Sequence, residues 1–303
     1  MRIKSCAWIV AVAVTLSALT FAYAGPQPAG NADDAITAKL KAILASKDRP
    51  QQERDRDRYR HPLETLEFFG IKPDMTVVEV WPGKGWYTRI LAPFLQPKGK
   101  LYGANPTGKP AQEFKRMLVA KISIYNRVVT TEHGPPETTR LAPAGSADMV
   151  LTFRNAHNWM KGGYADMMFK AMFLVLKPGG ILGIVEHRSN PAVAQDPKAA
   201  SGYVREDYVI KLAEAAGFKL VAKSEINANP KDTKDYPEGV WTLPPTLKLK
   251  DRDKQKYLAI GESDRMTLKF IKPLTAAAAP SPSAGAAEPG GAKPPAPAQK
   301  KAP

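Results

Sequence analysis

The residues best suited to acid–base chemistry are His157, Glu186 and His187. Histidine and glutamate serve as general bases when their surroundings set the right protonation state. His157 follows the apolar run Asp148–Phe153, and Glu186 and His187 close the run Ile181–Glu186. Two imidazoles and a carboxylate are also a zinc or iron ligand set. No short ligand spacing supports that use, and no metal is expected. The competing reading of each histidine is a structural hydrogen bond or a surface position. His61 is expected to cover a pocket, and His133, in the stretch Glu132–Pro136, to cap a turn.

A second feature is the run from Val77 to Thr88, in which Glu79, Trp81, Pro82, Gly83, Gly85 and Trp86 fall in one strand–turn–helix unit. Gly83 and Gly85 let the backbone adopt positive φ and come close to a ligand. The amides at the start of the following helix then face that ligand. Glu79, at the strand end, is suited to a cationic amino group or an ordered water. The spacing is not G-x-G-x-x-G, and a tight turn with glycines for packing is the plainer alternative.

These residues need a scaffold, and the rest of the chain predicts one. Short β-rich runs at Thr76–Trp81, Lys100–Ala104, Arg127–Thr131, Asp148–Phe153, Ile181–Glu186, Phe218–Ile226 and Met266–Ile271 alternate with helical periodicity. The helical stretches are Trp86–Leu95, Pro110–Ala120, Tyr164–Leu176 and Val204–Ala216. Strand–helix alternation with apolar strands means a mostly parallel sheet covered on both faces, an α/β doubly wound fold. The last two strands, with no full-length helix between them, predict an antiparallel edge. Ahead of the sheet, Asp33–Ser46 reads as an amphipathic helix, Asp48–Tyr59 as a highly charged one, and Pro62–Phe69 as a short one stopped by Gly70. Trp159 and Trp241 are expected in loops that wall a pocket. Residues 227–262, long and rich in proline, are expected to form a lid or acceptor-binding segment, or a docked surface loop.

Residues 1–24 have the pattern of a signal peptide: Arg2 and Lys4, an uncharged apolar run, then Ala22-Tyr23-Ala24. An exported, periplasmic or extracellular protein is expected. Its cleavage removes Cys6, the only cysteine, and with it any disulfide or thiolate chemistry. Residues 25–61 read as a leader with N-terminal helices, 62–274 as the main domain, and 275–303, rich in Ala, Pro and Gly, as a disordered tail. The formal charge is +15, a balance that often marks nucleic-acid binding. Export argues against that partner, and the charges are dispersed. Arg54, Arg56, Arg58 and Arg60 alternate with Glu53, Asp55 and Asp57, which predicts a solvated, salt-bridged face. Peripheral attraction to an anionic membrane surface is the alternative. The sequence does not set the oligomeric state.

The turn at Glu79–Gly85 resembles motif I of class I S-adenosylmethionine-dependent methyltransferases, which places an acid two residues before a Gly-x-Gly-x-Gly loop. The stretch Asp148–Asn155 and the turn Leu176-Lys177-Pro178-Gly179-Gly180 resemble the region around the fourth and fifth strands of quinone-type C-methyltransferases. Arg60-His61-Pro62, Trp81-Pro82-Gly83, His157-Asn158-Trp159 and Ser224–Pro230 are similar to marks of a group of bacterial, signal-peptide-bearing methyltransferases predicted from sequence. The resemblance covers about Pro62 to Lys272. It implies a seven-stranded Rossmann-like sheet and S-adenosylmethionine as cofactor. It implies donor contacts at Glu79, Trp81, Pro82, Gly83, Gly85, Trp86, Asn105, Glu132, Arg154 and Asn155, and catalytic roles for His157, Glu186 and His187. The implied acceptor is a small molecule or an envelope component. Two positions depart from the family. Trp81 stands where the first loop glycine belongs, and Asn105 stands where an acid usually holds the ribose. An exported ligand-binding protein on the same fold is the alternative reading.

Overall fold

The computed structural model describes residues 32–135, 138 and 140–274. The expected signal segment, most of the leader and the tail lie outside the described residues. Among the described residues, no helix is long and apolar enough to cross a membrane.

The chain opens with helices α1 (Ala32–Ala45), α2 (Gln51–Arg54), α3 (Asp57–Arg60) and α4 (Pro62–Phe69). The charged stretch read as one helix is two short ones. Around the break, Arg49 and Asp57 make a bidentate contact at 2.7 Å. Pro62 starts α4, and Gly70, with φ of 80°, ends it by accepting the left-handed conformation that a Cβ disfavours.

The alternation that follows is β1 (Thr76–Val80), α5 (Thr88–Leu95), β2 (Lys100–Pro106), α6 (Lys109–Ala120), α7 (Ile122–Tyr125), β3 (Val128–His133) and β4 (Ala147–Phe153). Then come α8 (Ala156–Gly162), α9 (Ala165–Val175), β5 (Leu176–His187), α10 (Glu206–Ala215), β6 (Lys219–Ser224), α11 (Lys254–Ile260) and β7 (Arg265–Ile271). Seven strands form one sheet in the order β3-β2-β1-β4-β5-β7-β6. All neighbours are parallel except β7, which runs antiparallel between β5 and β6. The doubly wound, mostly parallel sheet with antiparallel pairing at one edge is therefore the architecture present.

Each strand contributes alternate residues to two cores, as the two-residue period requires. Val78, Val80, Val150, Leu182 and Ile184 pack with α8, α9 and α10 on one face. Val77, Met149, Leu151 and Val185 pack with α1, α4 and α5 on the other. Burial on both faces explains why the strands read as apolar runs without polar alternation. Leu40 of α1 is fully buried against Leu66 and Phe69 of α4, so the N-terminal helices share this second core.

Two expectations change here. Trp159 is not in a loop: it lies in α8, fully buried, and stacks near Trp81 and Phe169. The arginine run is salt-bridged but only partly solvated: Arg58 is exposed and Arg54 and Arg56 are half-buried, whereas Arg60 is 4% exposed. In both cases the sequence shows only a polar or aromatic stretch, and long-range packing decides which side turns inward.

Candidate active site

In an open parallel sheet the ligand edge lies beyond the carboxyl ends of the strands. Here that edge collects Trp81 after β1, Asn105 at the end of β2, His133 at the end of β3, Arg154 and Asn155 after β4, and Glu186 and His187 at the end of β5. The antiparallel entry of β7 adds Arg265, directly across from His187 in the ladder.

The β1 turn is held from several sides. The Trp81 N–H donates to the Ala104 carbonyl at 2.8 Å, and Trp81 carries a left-handed φ of 56°. The Asn155 amide donates to the carbonyls of Val80 at 2.9 Å and Trp81 at 3.4 Å, and to Thr152 Oγ1 at 3.0 Å. Asn155 thus clamps the turn onto β4. Gly83 has a φ of 59°, and a Cβ there would meet only open space. Gly85 has a φ of 80°, which strains any L side chain, and a Cβ there would also press on the flexible end of Met117 of α6.

Glu79 faces α5 and is buried, with Thr88 Oγ1 donating to Oε2 at 2.6 Å. Burial pushes its carboxyl up to about 7, against the opposing effect of the Thr88 hydrogen bond. Asn105 is buried, and its amide donates back to the Gly103 carbonyl. Its Oδ1 has no hydrogen-bond partner among the described residues, and neither do the ring nitrogens of buried His133. Burial lowers His133 to about 4, so it is neutral. His133 is part of β3 and packs its ring against Trp81 rather than capping a turn.

Trp86 points away from this edge. Its indole donates to the Glu53 carbonyl and lies under the guanidinium groups of Arg49 and Arg60. Glu132 is exposed and pairs with Lys115 at 2.6 Å. Pro82 is buried inside the turn. His61 sits between α3 and α4 with a φ of 39°.

The histidine–carboxylate group is brought together. Glu186 is fully buried, and its Oε1 accepts from His157 Nδ1 at 2.9 Å and from the His187 N–H at 2.8 Å. The His157 N–H approaches Oε2 at 3.4 Å. A proton on His157 Nδ1 leaves Nε2 as the basic nitrogen. His187 lies with its ring centre 5.3 Å from that of His157, and its Nδ1 shares a 2.5 Å hydrogen bond with Ser263 Oγ. Burial first, then the neighbouring His157 and arginines, hold the His187 imidazole well below its ordinary value. The ligand atoms of His157, Glu186 and His187 lie within 4.8 Å of one another, a spacing a metal ion could bridge. Each of the three groups already has a protein hydrogen-bond partner, and the guanidinium groups nearby oppose a cation.

Beside His187 lies a cavity of about 270 Å³. Its charged wall is Arg56, Arg60, Arg154, Arg265 and Glu262. Its apolar wall is Val240, Trp241, Pro244 and Pro245, from the stretch expected to form a lid or acceptor segment. Of the expected catalytic and donor residues only Arg154 and His187 line it, and Trp241 walls it as expected. Arg56, Arg60, Glu262 and Arg265 were missed, although Arg56 and Arg60 stand four residues apart, the spacing that places side chains on one helical face.

No protein-family profile matches the chain, and no curated protein does. Solved structures do. A SAM-dependent methyltransferase from Aquifex aeolicus is similar over 78% of this chain and 98% of its own, at 18% identity and a TM-score of 0.51. The [4+2]-cyclase SpnF covers 80% and 94% at 16% identity, with a TM-score of 0.51. A putative sarcosine dimethylglycine methyltransferase from Galdieria sulphuraria covers 74% and 87% at 11% identity, also with a TM-score of 0.51. Together with the strand order, these likenesses establish the Rossmann-like fold of SAM-dependent methyltransferases. That fold also carries the cyclase, so methyl transfer itself has to be argued from the site.

Proposed function

We propose that the protein transfers a methyl group from S-adenosylmethionine to a small-molecule or envelope acceptor outside the cytoplasm. The observation that carries this reading is the open space over Gly83, at the head of β1 on the ligand edge of a methyltransferase-type sheet. Two further features support it. The unpartnered Asn105 Oδ1 is an acceptor suited to a ribose hydroxyl, and Asn155 keeps the turn in place. The donor would lie along Trp81–Gly83 and Asn105, with Arg154 beside it.

The bound donor would supply an activated methyl group, so the protein's main task is to align the acceptor. His157, oriented by Glu186, is the base for an acceptor that must lose a proton, and neutral His187 stands nearest the cavity. Signal-peptide export and membrane association rest on sequence and composition.

The test is calorimetric titration with S-adenosylmethionine and S-adenosylhomocysteine. Binding is expected, and absence of heat at about millimolar ligand would remove the enzyme reading in favour of a ligand-binding protein. Gly83→Val, folded by circular dichroism, should abolish binding. Retained affinity would put the donor elsewhere. A His157→Ala variant that turns over at the wild-type rate would remove the role of His157.

A further inference from the structure

The cavity beside His187 has an unbalanced wall. Glu262 is the one carboxylate among its lining residues, and four guanidinium groups converge on it. Arg56 Nε reaches it at 2.5 Å, Arg265 makes a short contact, Arg60 stands at 3.4 Å and Arg154 at 4.0 Å, beyond hydrogen-bond reach. Four positive charges against one negative leave an excess of three. His187 does not change that sum, because it is held neutral.

Neighbouring carboxylates already have cations of their own. Asp57 pairs with Arg49, Glu53 with Arg89, and Asp264 with Arg188 and Lys234. Glu186, behind His187, is not part of the wall. Arg60 and Arg265 are 4% and 2% exposed, and the Arg265 Nε is buried without a hydrogen-bond partner among the described residues. Burying guanidinium groups in excess of their counter-charge is costly. Arg154 adds strain, with a left-handed φ of 62° fixed by its N–H to the Val185 carbonyl at 2.7 Å. Strained backbone and surplus buried charge of this kind concentrate at ligand sites.

We propose that this cavity binds a small organic anion, its carboxylate or phosphate group seated among Arg60, Arg154, Arg265 and Arg56 and its apolar body against Trp241 and the two prolines. The guanidinium forks match either oxyanion. The volume, near the lower end of small-molecule pockets, suits a compact ligand. Anion binding here does not depend on methyl transfer. Only the identification of that anion as the methyl acceptor rests on the function proposed above.

The test uses benzoate, phenyl phosphate and neutral benzyl alcohol as probes, titrated into the protein by calorimetry or by the fluorescence of Trp241 and Trp86. At least one anion is expected to bind about tenfold or more tightly than the alcohol, as charge-assisted hydrogen bonds require. The tighter of the two anions assigns the site to carboxylates or to phosphates. Arg154→Gln and Arg56→Gln should each weaken it about tenfold or more, while Arg205→Gln, at an exposed pair with Asp207, should not. Should Arg154→Gln fail to fold, the partly exposed Arg56 decides the matter.

Glu262→Gln supplies an opposite sign. It removes the competing internal anion, so the anion should raise its melting temperature by more than it raises the wild type's. Equal binding of anion and alcohol, no saturation by about 10 mM, or unchanged affinity in folded arginine variants would overturn the proposal. The two functional claims fail separately. Anion binding without S-adenosylmethionine binding keeps the cavity and ends methyl transfer, and the reverse result ends the anion site.

Discussion

Replacing Glu186 by glutamine tests whether this carboxylate organises the ligand edge. The substitution conserves volume and removes one charge. With its carbonyl in the Oε1 position, the amide still accepts from His157 Nδ1 and the His187 N–H, at 2.9 and 2.8 Å in the wild type. Hydrogen bonds to a charged group contribute about 1.5–3 kcal/mol, against about 0.5–1.5 kcal/mol for neutral ones, so the pair loses about 2 kcal/mol. The amide NH2 then takes the Oε2 position and faces the His157 N–H, which approaches Oε2 at 3.4 Å. Two donors face to face in a buried site cost about 1 kcal/mol more. The total of about 3 kcal/mol corresponds to a fall in Tm of about 6–12 °C for a domain of this size. Urea unfolding followed by circular dichroism gives the free energy, and nitrogen NMR of the imidazoles gives the tautomer. The proton should stay on His157 Nδ1 in the variant, because the amide carbonyl still accepts it. A variant within about 0.5 kcal/mol of wild type would refute the stabilising role of the Glu186 carboxylate.

Glu79 predicts a pH effect. Its carboxyl is raised to about 7 by burial, so the folded state binds its proton more tightly than the unfolded chain. That contribution is complete below the unfolded value near 4.5 and is lost as pH rises through 7. Glu79→Gln should therefore match wild type near pH 4 and gain on it by about 2–3 kcal/mol by pH 8 in urea titrations. A difference that does not vary with pH would count against a buried, proton-binding Glu79. Asp57→Asn strips the charge that faces Arg49, whose side chain is 1% exposed. About 3 kcal/mol should be lost by chemical denaturation, and less than about 1 kcal/mol would show that Arg49 finds another partner. Trp159→Ala should cost about 3–5 kcal/mol, the usual result of emptying a core aromatic site. Trp159→Phe should recover most of that, since the buried indole N–H has no partner among the described residues to lose. Equal losses in the two variants would contradict this packing role.

Much of the site's local chemistry was legible along the chain. His157, Glu186 and His187 stood out by residue type and by their place at the ends of apolar runs, and the fold brings all three together. The glycines of the β1 turn were legible too, but not their separate reasons. Both hold a left-handed φ, but Gly83 opens onto space while Gly85 lies against Met117 on another helix. Trp86 and Glu132 were implied as donor contacts by the resemblance alone. The indole turns to the N-terminal helices, and the carboxylate pairs on the surface.

What the sequence by itself determined was periodic and local. Strand and helix alternation, apolar strands, the proline that starts α4 and the glycine that stops it each depend on neighbours a few residues away. The arginine cavity was decided only by tertiary structure. Arg56 and Arg60 come from a stretch whose alternating charges match those of an exposed face. Their carboxylate, Glu262, lies about 200 residues further on and reaches them because β7 enters antiparallel beside β5. A charge pattern records how many ions a segment carries. Which of them lose their water, and which share one counter-ion, depends on what the rest of the chain packs against them.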